Sequence, residues 1–263
     1  SMSRDYESMK RDIEISLKNL QTDYIDLYQI HNIKTDADFE TVFGENGAYR
    51  ALLEAKEAGK ILHIGATAHG LEAFERLITE YEDKIETMMF PYNIVEQQAA
   101  DLIHECAKRD IGFIVMKPLA GGAIEEADLA IRYCFANPDV SVVIPGMYDL
   151  KEIDMNLKAA ENTAPLSEEE LAAMQAVRDR LGSNFCRRCN YCQPCTVGIN
   201  ISGVFLFQGY LDRYGLEDWA RGRYDTIPVK ASACIDCGVC ETRCPYNLPI
   251  RSMLKEAAKK FGC

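Results

Sequence analysis

The stretch I-L-H-I-G-A-T-A-H-G, residues 61–70, decides the fold of the first part of this chain. Its first seven residues are mainly apolar, and such a short run bounded by glycine predicts a strand. The polar and glycine residues that follow predict a loop at the carboxyl end of that strand, and then a helix at about 70–82. The stretch therefore predicts one strand–helix unit.

Four further runs repeat this pattern along the chain. The predicted strands begin 37, 26, 26 and 27 residues apart. Strands that alternate with helices at such intervals predict βα units on a parallel sheet, so the fold class of this part is α/β. The predicted strands are 24–31, 61–67, 87–92, 113–117 and 140–145, and the predicted helices are about 5–20, 46–59, 70–82, 96–110, 122–137 and 149–161.

The composition is that of a globular protein. The chain has 263 residues, of which 48% are apolar, enough for one large core and one small core. No apolar run approaches the roughly 18–20 residues of a membrane span, and the first residues lack the apolar centre of a signal peptide. These features predict a cytoplasmic protein with no membrane partner.

The net charge of −12 is divided unevenly. Residues 182–263 contain 11 Lys and Arg against 7 Asp and Glu, a net charge of +4, whereas residues 1–181 have a net charge of −16. We therefore predict two domains, 1–181 and 182–263. The acidic larger domain argues against nucleic acid as a partner. The basic smaller domain suits an acidic carrier protein, although a solvated surface without a partner explains its charge equally well.

The segment S-E-E-E, residues 167–170, predicts how the two domains are joined. Ser167 and Glu170 have the spacing of a capping box, which begins a helix that runs to about residue 181. Gly182 is the predicted end of that helix. The connection to the second domain is therefore short.

Eight of the eleven cysteines fall in two runs, and the second run is C-I-D-C-G-V-C-E-T-R-C-P at residues 234–245. Its spacing, C-x2-C-x2-C-x3-C-P, is that of a 4Fe-4S cluster loop of the bacterial ferredoxin type. Zinc is the rival metal, but a four-cysteine zinc site typically uses two separated C-x2-C pairs and has no use for a third cysteine three residues on. A disulfide framework is disfavoured by the chain length, the odd cysteine count and the missing signal peptide.

The predicted ligands form two sets, because the fourth cysteine of such a run serves the other cluster. Cys195 departs from the pattern, since it follows Cys192 after two residues and precedes Thr196 where proline is usual. The 38 residues between the runs have a helical pattern, which predicts a small all-α ferredoxin-like domain with two 4Fe-4S clusters. The predicted sets are Cys186, Cys189, Cys192 and Cys244 for one cluster, and Cys234, Cys237, Cys240 and Cys195 for the other.

The carboxyl ends of the five predicted strands are rich in polar residues and glycine. Ligand sites of parallel α/β folds form at these ends, so this edge of the sheet is the predicted site. A single histidine there is more often structural, but five consecutive polar ends favour a ligand-binding face. The ends are His31-Asn32, T-A-H-G at 67–70, Tyr92-Asn93, K-P-L-A-G-G at 117–122 and Pro145-Gly146.

Several of these segments resemble the aldo/keto reductase family. The run S-L-K-N-L-Q-T-D-Y-I-D-L-Y-Q-I-H-N at 16–32 is similar to the region of the family's fourth strand. The segments at 59–70, 91–93, 116–122 and 142–147 continue in the family's order through its eighth strand. The combination with a cysteine-rich domain resembles a subgroup of oxidoreductases that carry a ferredoxin-like domain. The resemblance implies a (β/α) TIM-barrel fold of which this chain holds strands four to eight only.

The resemblance also implies NAD(P)H-dependent reduction of a small carbonyl substrate, or oxidation of the alcohol, by an Asp, a Tyr, a Lys and a His. Only the histidine can be carried over, onto His31, because the other three positions precede this sequence. We therefore expect an incomplete chain or, alternatively, a remnant that closes as a homodimer. A catalytically incomplete barrel that serves as a scaffold for an electron-transfer or binding module is the alternative function.

The cofactor positions implied by the resemblance match the family unevenly. Ala68 and Met116 replace residues that usually contact the nicotinamide, and Gly146 and Glu152 stand where many members place cations on the 2′-phosphate of NADPH. Loss of these cations favours NADH over NADPH. The implied cofactor-binding residues are Thr67, His69, Asn93, Lys117, Gly121, Gly146 and Asn156.

Overall fold

The computed structural model describes residues 1–181, 185–212 and 215–263. The chain divides into two compact units, Ser1–Val177 and Arg178–Cys263, whereas the sequence predicts the domain boundary between residues 181 and 182. Gly182, the predicted end of the connecting helix, lies outside the described residues. Among the described residues, no helix combines the length and the apolarity needed to cross a membrane.

The first unit is built on a sheet of five parallel strands in sequential order. Each strand lies beside the next one along the chain, as βα units require. The predicted strands agree with the observed ones to within one or two residues, which confirms the α/β fold class. The strands are β1 (Ile25–Ile30), β2 (Ile61–Thr67), β3 (Thr87–Pro91), β4 (Gly112–Met116) and β5 (Val140–Ile144).

Helices cover one face of this sheet. All six helices predicted from the sequence are present, together with the helix that the capping box at Ser167 predicts. The helices of this part are α1 (Tyr6–Leu20), α2 (Asp36–Phe43), α3 (Ala48–Glu57), α4 (Leu71–Glu80), α5 (Ala100–Lys108), α6 (Ala127–Phe135), α7 (Leu150–Glu161) and α8 (Glu168–Leu181).

Helix α2 was missed by the sequence analysis. It begins with a capping box in which Thr35 Oγ1 accepts a hydrogen bond from the Asp38 amide at 3.2 Å and Asp38 accepts one from the Thr35 amide at 3.1 Å. The helix is only eight residues long and buries only Phe39 and Val42. With so few apolar positions its helical periodicity is weak, so the T-x-x-D cap is the one clear signal.

The core of the first unit lies between the helices and the sheet. Helix α4 contributes a buried apolar stripe, and its Phe74 packs with ring centroids 5.0 Å from Phe90 and 5.7 Å from Phe113. The edge strand β5 is less covered, because its Val142 and Ile144 are 46% and 44% exposed. The sheet is therefore open to solvent at this edge.

A buried arginine ties α6 to the segment that leads into α8. Arg132 is 5% exposed and donates hydrogen bonds to Glu170 Oε1 at 3.0 Å, to the Ala164 carbonyl at 2.9 Å and to the Asn162 carbonyl. Glu170 also completes the predicted capping box, since its amide donates to Ser167 Oγ at 3.1 Å. A buried guanidinium needs such complete pairing.

The described residues of the second unit form helices and loops only, as predicted for an all-α ferredoxin-like domain. Its small core includes Val204, Phe205 and Phe207, and Tyr224 stacks on Phe261 with ring centroids 3.9 Å apart. The helices that follow α8 are α9 (Ile201–Asp212), α10 (Glu217–Asp225), α11 (Val239–Thr242) and α12 (Ile250–Phe261), with a short 3-10 helix at Ala231–Ala233.

Two glycines in the sheet provide a matched test of the packing of the first unit. A Cβ on Gly65 would lie 2.1 Å from Thr87 Oγ1, whereas the nearest atom to a Cβ on Gly112 is Thr87 Cγ2 at 3.6 Å. We therefore expect Gly65→Ala to lower the free energy of unfolding by about 1–3 kcal/mol, since overpacked sites cost that much. Gly112→Ala should change it by less than about 0.5 kcal/mol.

The measurement is chemical denaturation followed by far-UV circular dichroism. The single tryptophan, Trp219, lies in the second unit, so its fluorescence shows whether a change is confined to the first unit. Equal destabilisation by the two substitutions would contradict the close approach of β2 and β3 at Gly65.

Candidate functional sites

The two cysteine loops, 186–192 and 234–240, have the same backbone conformation. In each loop the second and the fourth residues after the first cysteine have positive φ. Three of these four residues carry side chains, which seldom adopt this left-handed conformation. Alternation of this kind directs successive backbone N–H groups to one side and makes a concave site for an anion. The φ angles are 58° at Arg188, 65° at Asn190, 56° at Asp236 and 77° at Gly238.

The repeat continues past the fourth cysteine of each run. The Gly198 amide donates to the Cys195 carbonyl at 3.0 Å, and the Asn247 amide donates to the Cys244 carbonyl at 3.2 Å. Gly198 and Asn247 both have positive φ, 82° and 50°. Helices α9 and α12 then begin at equivalent positions. The residue that the first run lacks is therefore accommodated before Cys195, and the turn after Cys195 matches the turn after Cys244.

The thiols of the first loop lie near the fourth cysteine of the second run. Burial raises the pKa of Cys192 to about 12, and the nearby Cys186, Cys189 and Cys244, together with Cys240 of the second loop, contribute to the rise. Burial likewise raises the pKa of Cys186 to about 11, with contributions from Cys189 and Cys244. The structure thus brings together the four cysteines that the sequence analysis assigned to one cluster.

The thiols of the second loop lie near the fourth cysteine of the first run. Burial raises the pKa of Cys240, and Cys234 and Cys195 are among the neighbours that raise it further. Cys237 is exposed, and its Sγ lies 3.5 Å from Oγ1 of Thr196, the residue after Cys195. The second predicted set is thus also assembled from both loops, although its ligand role stays a prediction.

A site for one zinc ion and a site for a 4Fe-4S cluster differ in the expected spacing of their sulfurs. Four sulfurs around one zinc would lie about 3.8 Å apart, given a Zn–S bond of about 2.3 Å in a tetrahedral site. Within the described residues, which include all eight clustered cysteines, no group of three or more His, Cys, Asp or Glu side chains is arranged to hold one ion. Wider separation is expected where each thiolate binds a different iron.

Two of the remaining cysteines are buried in the first unit. Burial raises the pKa of Cys106 to about 12 and that of Cys134 to about 12. Both thiols therefore stay protonated and unreactive at neutral pH. The third, Cys263, is exposed, and its Sγ contacts the Tyr224 hydroxyl at 3.1 Å.

Asn32 organises the carboxyl ends of β1 and β2. Its φ is 56°, its amide donates to Thr67 Oγ1 at 2.7 Å, and its Oδ1 lies 3.2 Å from His69 Nδ1. Its carbonyl accepts a hydrogen bond from Arg4 at 2.9 Å. Asn32 thus links two predicted site residues, Thr67 and His69. Asn32 follows a predicted strand, but the sequence analysis assigned no role to it. Asparagine tolerates positive φ better than most residues, and this property is the one signal that indicates its role.

His31 precedes this asparagine and is exposed. It lines an open groove of about 600 Å³ together with Gln29, Thr67 and Met89 and with residues of α1. Partial burial lowers the pKa of His31, and neighbouring positive charges, Arg4 among them, lower it further. The structure therefore brings His31 and Thr67 to one groove.

Asn93 and Lys117 meet in the loops after β3 and β4. The Asn93 side chain is fully buried, and its Nδ2 donates to Glu96 Oε2 at 2.9 Å and to the Lys117 carbonyl at 3.0 Å. Its Oδ1 accepts hydrogen bonds from the Val95 and Glu96 amides, both at 2.9 Å. The amide is thus saturated within the protein and holds Lys117 in place, while direct contact of Asn93 with a cofactor stays a prediction.

The loop from Lys117 contains four residues with positive φ, Lys117, Ala120, Gly121 and Gly122. Two turns close it, because the Ala120 amide donates to the Lys117 carbonyl and the Gly122 amide to the Leu119 carbonyl, both at 2.8 Å. Glycine allows this conformation at Gly121 and Gly122 without strain. The predicted site residue Gly121 therefore lies in a tightly turned backbone at the carboxyl end of β4.

The last two predicted cofactor residues lie at the other edge of the sheet, after β5. Gly146 is exposed and has open space around it. Asn156 lies on α7, where its Oδ1 is buried and accepts no hydrogen bond from the described residues. Glu152, one turn before Asn156, accepts hydrogen bonds from the Tyr148 amide at 2.6 Å and the Asp149 amide at 3.3 Å. The carboxylate is thus fixed at the N-terminus of α7.

Both parts of the chain match known protein families. Residues 2–128 match the sequence profile described as "Aldo/keto reductase family". Residues 185–249 match the profile described as "4Fe-4S dicluster domain", which spans both cysteine loops. The chain joins an aldo/keto reductase domain to a 4Fe-4S dicluster domain. The resemblance seen in the sequence is therefore confirmed for both domains.

Curated relatives match the aldo/keto reductase domain at low identity. L-galactose dehydrogenase of Arabidopsis thaliana is 23% identical over 207 residues, which cover 65% of this chain and 64% of the plant protein. The uncharacterized oxidoreductase YqkF of Bacillus subtilis is 25% identical over 211 residues, covering 64% of this chain and 65% of its own. The chain therefore spans slightly less than two thirds of the length of these relatives.

Solved aldo/keto reductases share the fold. The holo form of AKR11C1 from Bacillus halodurans superposes with a TM-score of 0.53 at 23% identity, covering 66% of this chain and 67% of the other. An aldo/keto reductase from Brucella melitensis gives a TM-score of 0.51 at 25% identity, covering 66% and 69%. The five-stranded parallel sheet is thus that of an aldo/keto reductase TIM barrel.

The imidazole of His69 offers a test of this edge of the aldo/keto reductase domain. Burial lowers the pKa of His69 to about 3, and the positive charges of Lys117 and Lys34 add to the effect. We therefore expect its ring signals in NMR spectra, assigned with His69→Gln, to show a neutral imidazole from pH 8 down to about pH 4.5.

The depressed pKa of His69 also determines how stability depends on pH. The unfolded chain binds a proton near pH 6.5, whereas the folded chain does not bind it until about pH 3. The contribution of His69 to stability is therefore complete above about pH 6.5 and declines as the pH falls towards 3. A titration midpoint near pH 6.5 for the His69 ring would show that the site is solvated instead.

Proposed function

We propose that this chain belongs to an iron–sulfur oxidoreductase that couples nicotinamide-dependent carbonyl or alcohol chemistry to electron transfer by 4Fe-4S clusters. The observation that carries the proposal is the repeated cysteine loop. Both loops have left-handed residues at the same positions, and the fourth cysteine of each run lies near the thiols of the other loop. The same chain contains an aldo/keto reductase domain. The substrate is a small carbonyl compound or alcohol.

The residues present fit two clusters. Each set provides four thiols, and the positive-φ residues of its loop direct backbone N–H groups towards the place where the sulfides would lie. When bound, a 4Fe-4S cluster supplies one-electron transfer. The proposed ligands are Cys186, Cys189, Cys192 and Cys244 for one cluster, and Cys234, Cys237, Cys240 and Cys195 for the other.

In the aldo/keto reductase domain, we assign His31 to the reacting carbonyl. It is exposed at the groove that Thr67 and Met89 also line, and its lowered pKa keeps the imidazole neutral at physiological pH. A neutral imidazole can donate a hydrogen bond to a carbonyl oxygen and orient it. A bound dinucleotide would supply the hydride from its nicotinamide, with Asn156 near the adenine. The residues proposed to bind it are Thr67, His69, Asn93, Lys117, Gly121, Gly146 and Asn156.

The carboxylate of Glu152 supports NADH as the dinucleotide. It is fixed by the Tyr148 and Asp149 amides at the start of α7, so it cannot swing away from a phosphate placed there. A phosphate at this position would face a negative charge instead of the usual cations. NADPH should therefore bind more weakly than NADH.

Iron analysis tests the cluster proposal. Protein purified under exclusion of oxygen should be brown and contain about eight irons per chain, as two 4Fe-4S clusters require. Cys237→Ala removes one proposed ligand and should lower the iron content towards about four. Cys263→Ala removes an exposed thiol outside both sets and should leave the iron content unchanged. A colourless protein that binds zinc would contradict the proposal.

Nucleotide titration tests the dinucleotide proposal. Glu152→Gln removes the negative charge and keeps a side chain that can still cap α7. We expect it to raise the affinity for NADPH about three- to tenfold, which corresponds to about 0.6–1.4 kcal/mol, and to leave the affinity for NADH unchanged.

The matched control is Glu161→Gln, which makes the same charge change at the far end of α7. Nicotinamide fluorescence is the measurement. Protein that contains full iron and binds neither nucleotide would favour the alternative function, a barrel scaffold that carries an electron-transfer or binding module.

A further inference from the structure

Thr196 contacts a proposed cluster ligand from the opposite loop. It directly follows Cys195, and its Oγ1 lies 3.5 Å from Cys237 Sγ, within the range of a hydrogen bond to sulfur. Both side chains are exposed. Because Cys195 and Cys237 belong to the same proposed ligand set, the hydroxyl lies beside the cluster that these two residues would share.

The direction of this hydrogen bond follows from the chemistry of the ligand. Either atom could donate while Cys237 is a thiol. A cysteine that binds iron has lost its proton, so only the threonine hydroxyl can then donate. The contact therefore becomes a charge-assisted O–H···S bond when the cluster is present.

The two cysteine runs have different residues after their fourth cysteine, so the surroundings of the two clusters would differ there. Thr196 follows the fourth cysteine of the first run, and Pro245 follows the fourth cysteine of the second. The turns after Cys195 and Cys244 have the same hydrogen bond, so the two residues occupy equivalent positions. Proline has neither a hydroxyl nor a backbone N–H. The cluster beside Thr196 would therefore receive a hydroxyl donor, whereas Pro245 cannot supply one to the other cluster.

We propose that Thr196 is a positioning residue whose hydroxyl donates to the Cys237 sulfur and raises the reduction potential of the cluster held by Cys234, Cys237, Cys240 and Cys195. Reduction adds one electron and makes the cluster more negative. A hydrogen bond to a ligand sulfur stabilises that added charge, and such bonds are among the factors that set cluster potentials. This inference rests on the proposed function, because it requires that these four cysteines hold a 4Fe-4S cluster.

The test is a redox titration of the full chain with dithionite, followed by EPR. In Thr196→Val a methyl group fills the space of the hydroxyl, and the iron content should stay at the parent's level. The midpoint of one of the two cluster signals should move to a lower potential. At a fixed potential its reduced-to-oxidised ratio should fall about three- to tenfold, where tenfold corresponds to about 59 mV for one electron. The second cluster signal should not move.

Two further variants separate this effect from packing. Thr196→Ser keeps the hydroxyl and should keep the parent's midpoint. Thr242→Val is the matched control on α11, because the Thr242 hydroxyl donates to the Val239 carbonyl at 2.9 Å and not to a sulfur. It should leave both midpoints unchanged.

The possible outcomes distinguish this inference from the proposed function. Iron-loaded Thr196→Val with both midpoints unshifted overturns the role of Thr196 alone. Loss of iron from Thr196→Val with full iron in Thr196→Ser overturns the tuning role as well, because the hydroxyl would then hold the cluster instead of adjusting its potential. Parent protein without iron overturns the proposed function, and this inference with it.

Discussion

Neither cysteine loop can complete a four-thiol site alone, and the second unit is organised around this constraint. The fourth cysteine of each run lies beyond a turn and reaches the thiols of the other loop. Two further contacts join the first cysteine run to the second. The Arg187 guanidinium lies 4.1 Å from the centre of the Tyr246 ring, and Arg243 donates to the Pro194 carbonyl at 3.0 Å. Cluster binding and folding of this unit are therefore expected to be coupled.

The cost of this arrangement is visible in the backbone. Arg188, Asn190 and Asp236 have left-handed conformations, each of which costs on the order of 1 kcal/mol. Asn190 is supported by a hydrogen bond from the Ser202 hydroxyl at the start of α9, whereas the equivalent position in the second loop is Gly238, which needs no support. The two loops thus have the same left-handed position, which is stabilised by a hydrogen bond in the first loop and by glycine in the second. This is expected if ligand binding requires that backbone conformation.

The elements with strong local signals could be predicted from the sequence, and those that depend on distant partners could not. The five strands and the all-helical second unit were found because their patterns are periodic, and the eight cysteines because their spacing is distinctive. At the candidate site, His31 and Thr67 were predicted from strand ends and lie at one groove, whereas the contacts of Asn32 were not predicted, because they involve Thr67 and His69 after another strand. Arg132 was missed because burial of a cation is set by carbonyls and a carboxylate some 30 residues away.

Several cations of residues 182–263 are paired with acidic residues of the same unit. Arg251 pairs with Glu241 at 2.7 Å, Lys255 with Asp236 at 2.7 Å, and Lys260 with Asp212 at 2.7 Å. Two of these pairs involve acidic residues of the second cysteine loop and its following helix, where unpaired carboxylates would disfavour a reduced, more negative cluster. If a cluster is bound there, their neutralisation would act in the same direction as the role proposed for the Thr196 hydroxyl. Each such pair is neutral, so the net charge of +4 of residues 182–263 comes from the other cations of the unit, and the pairs argue neither for nor against an acidic carrier protein.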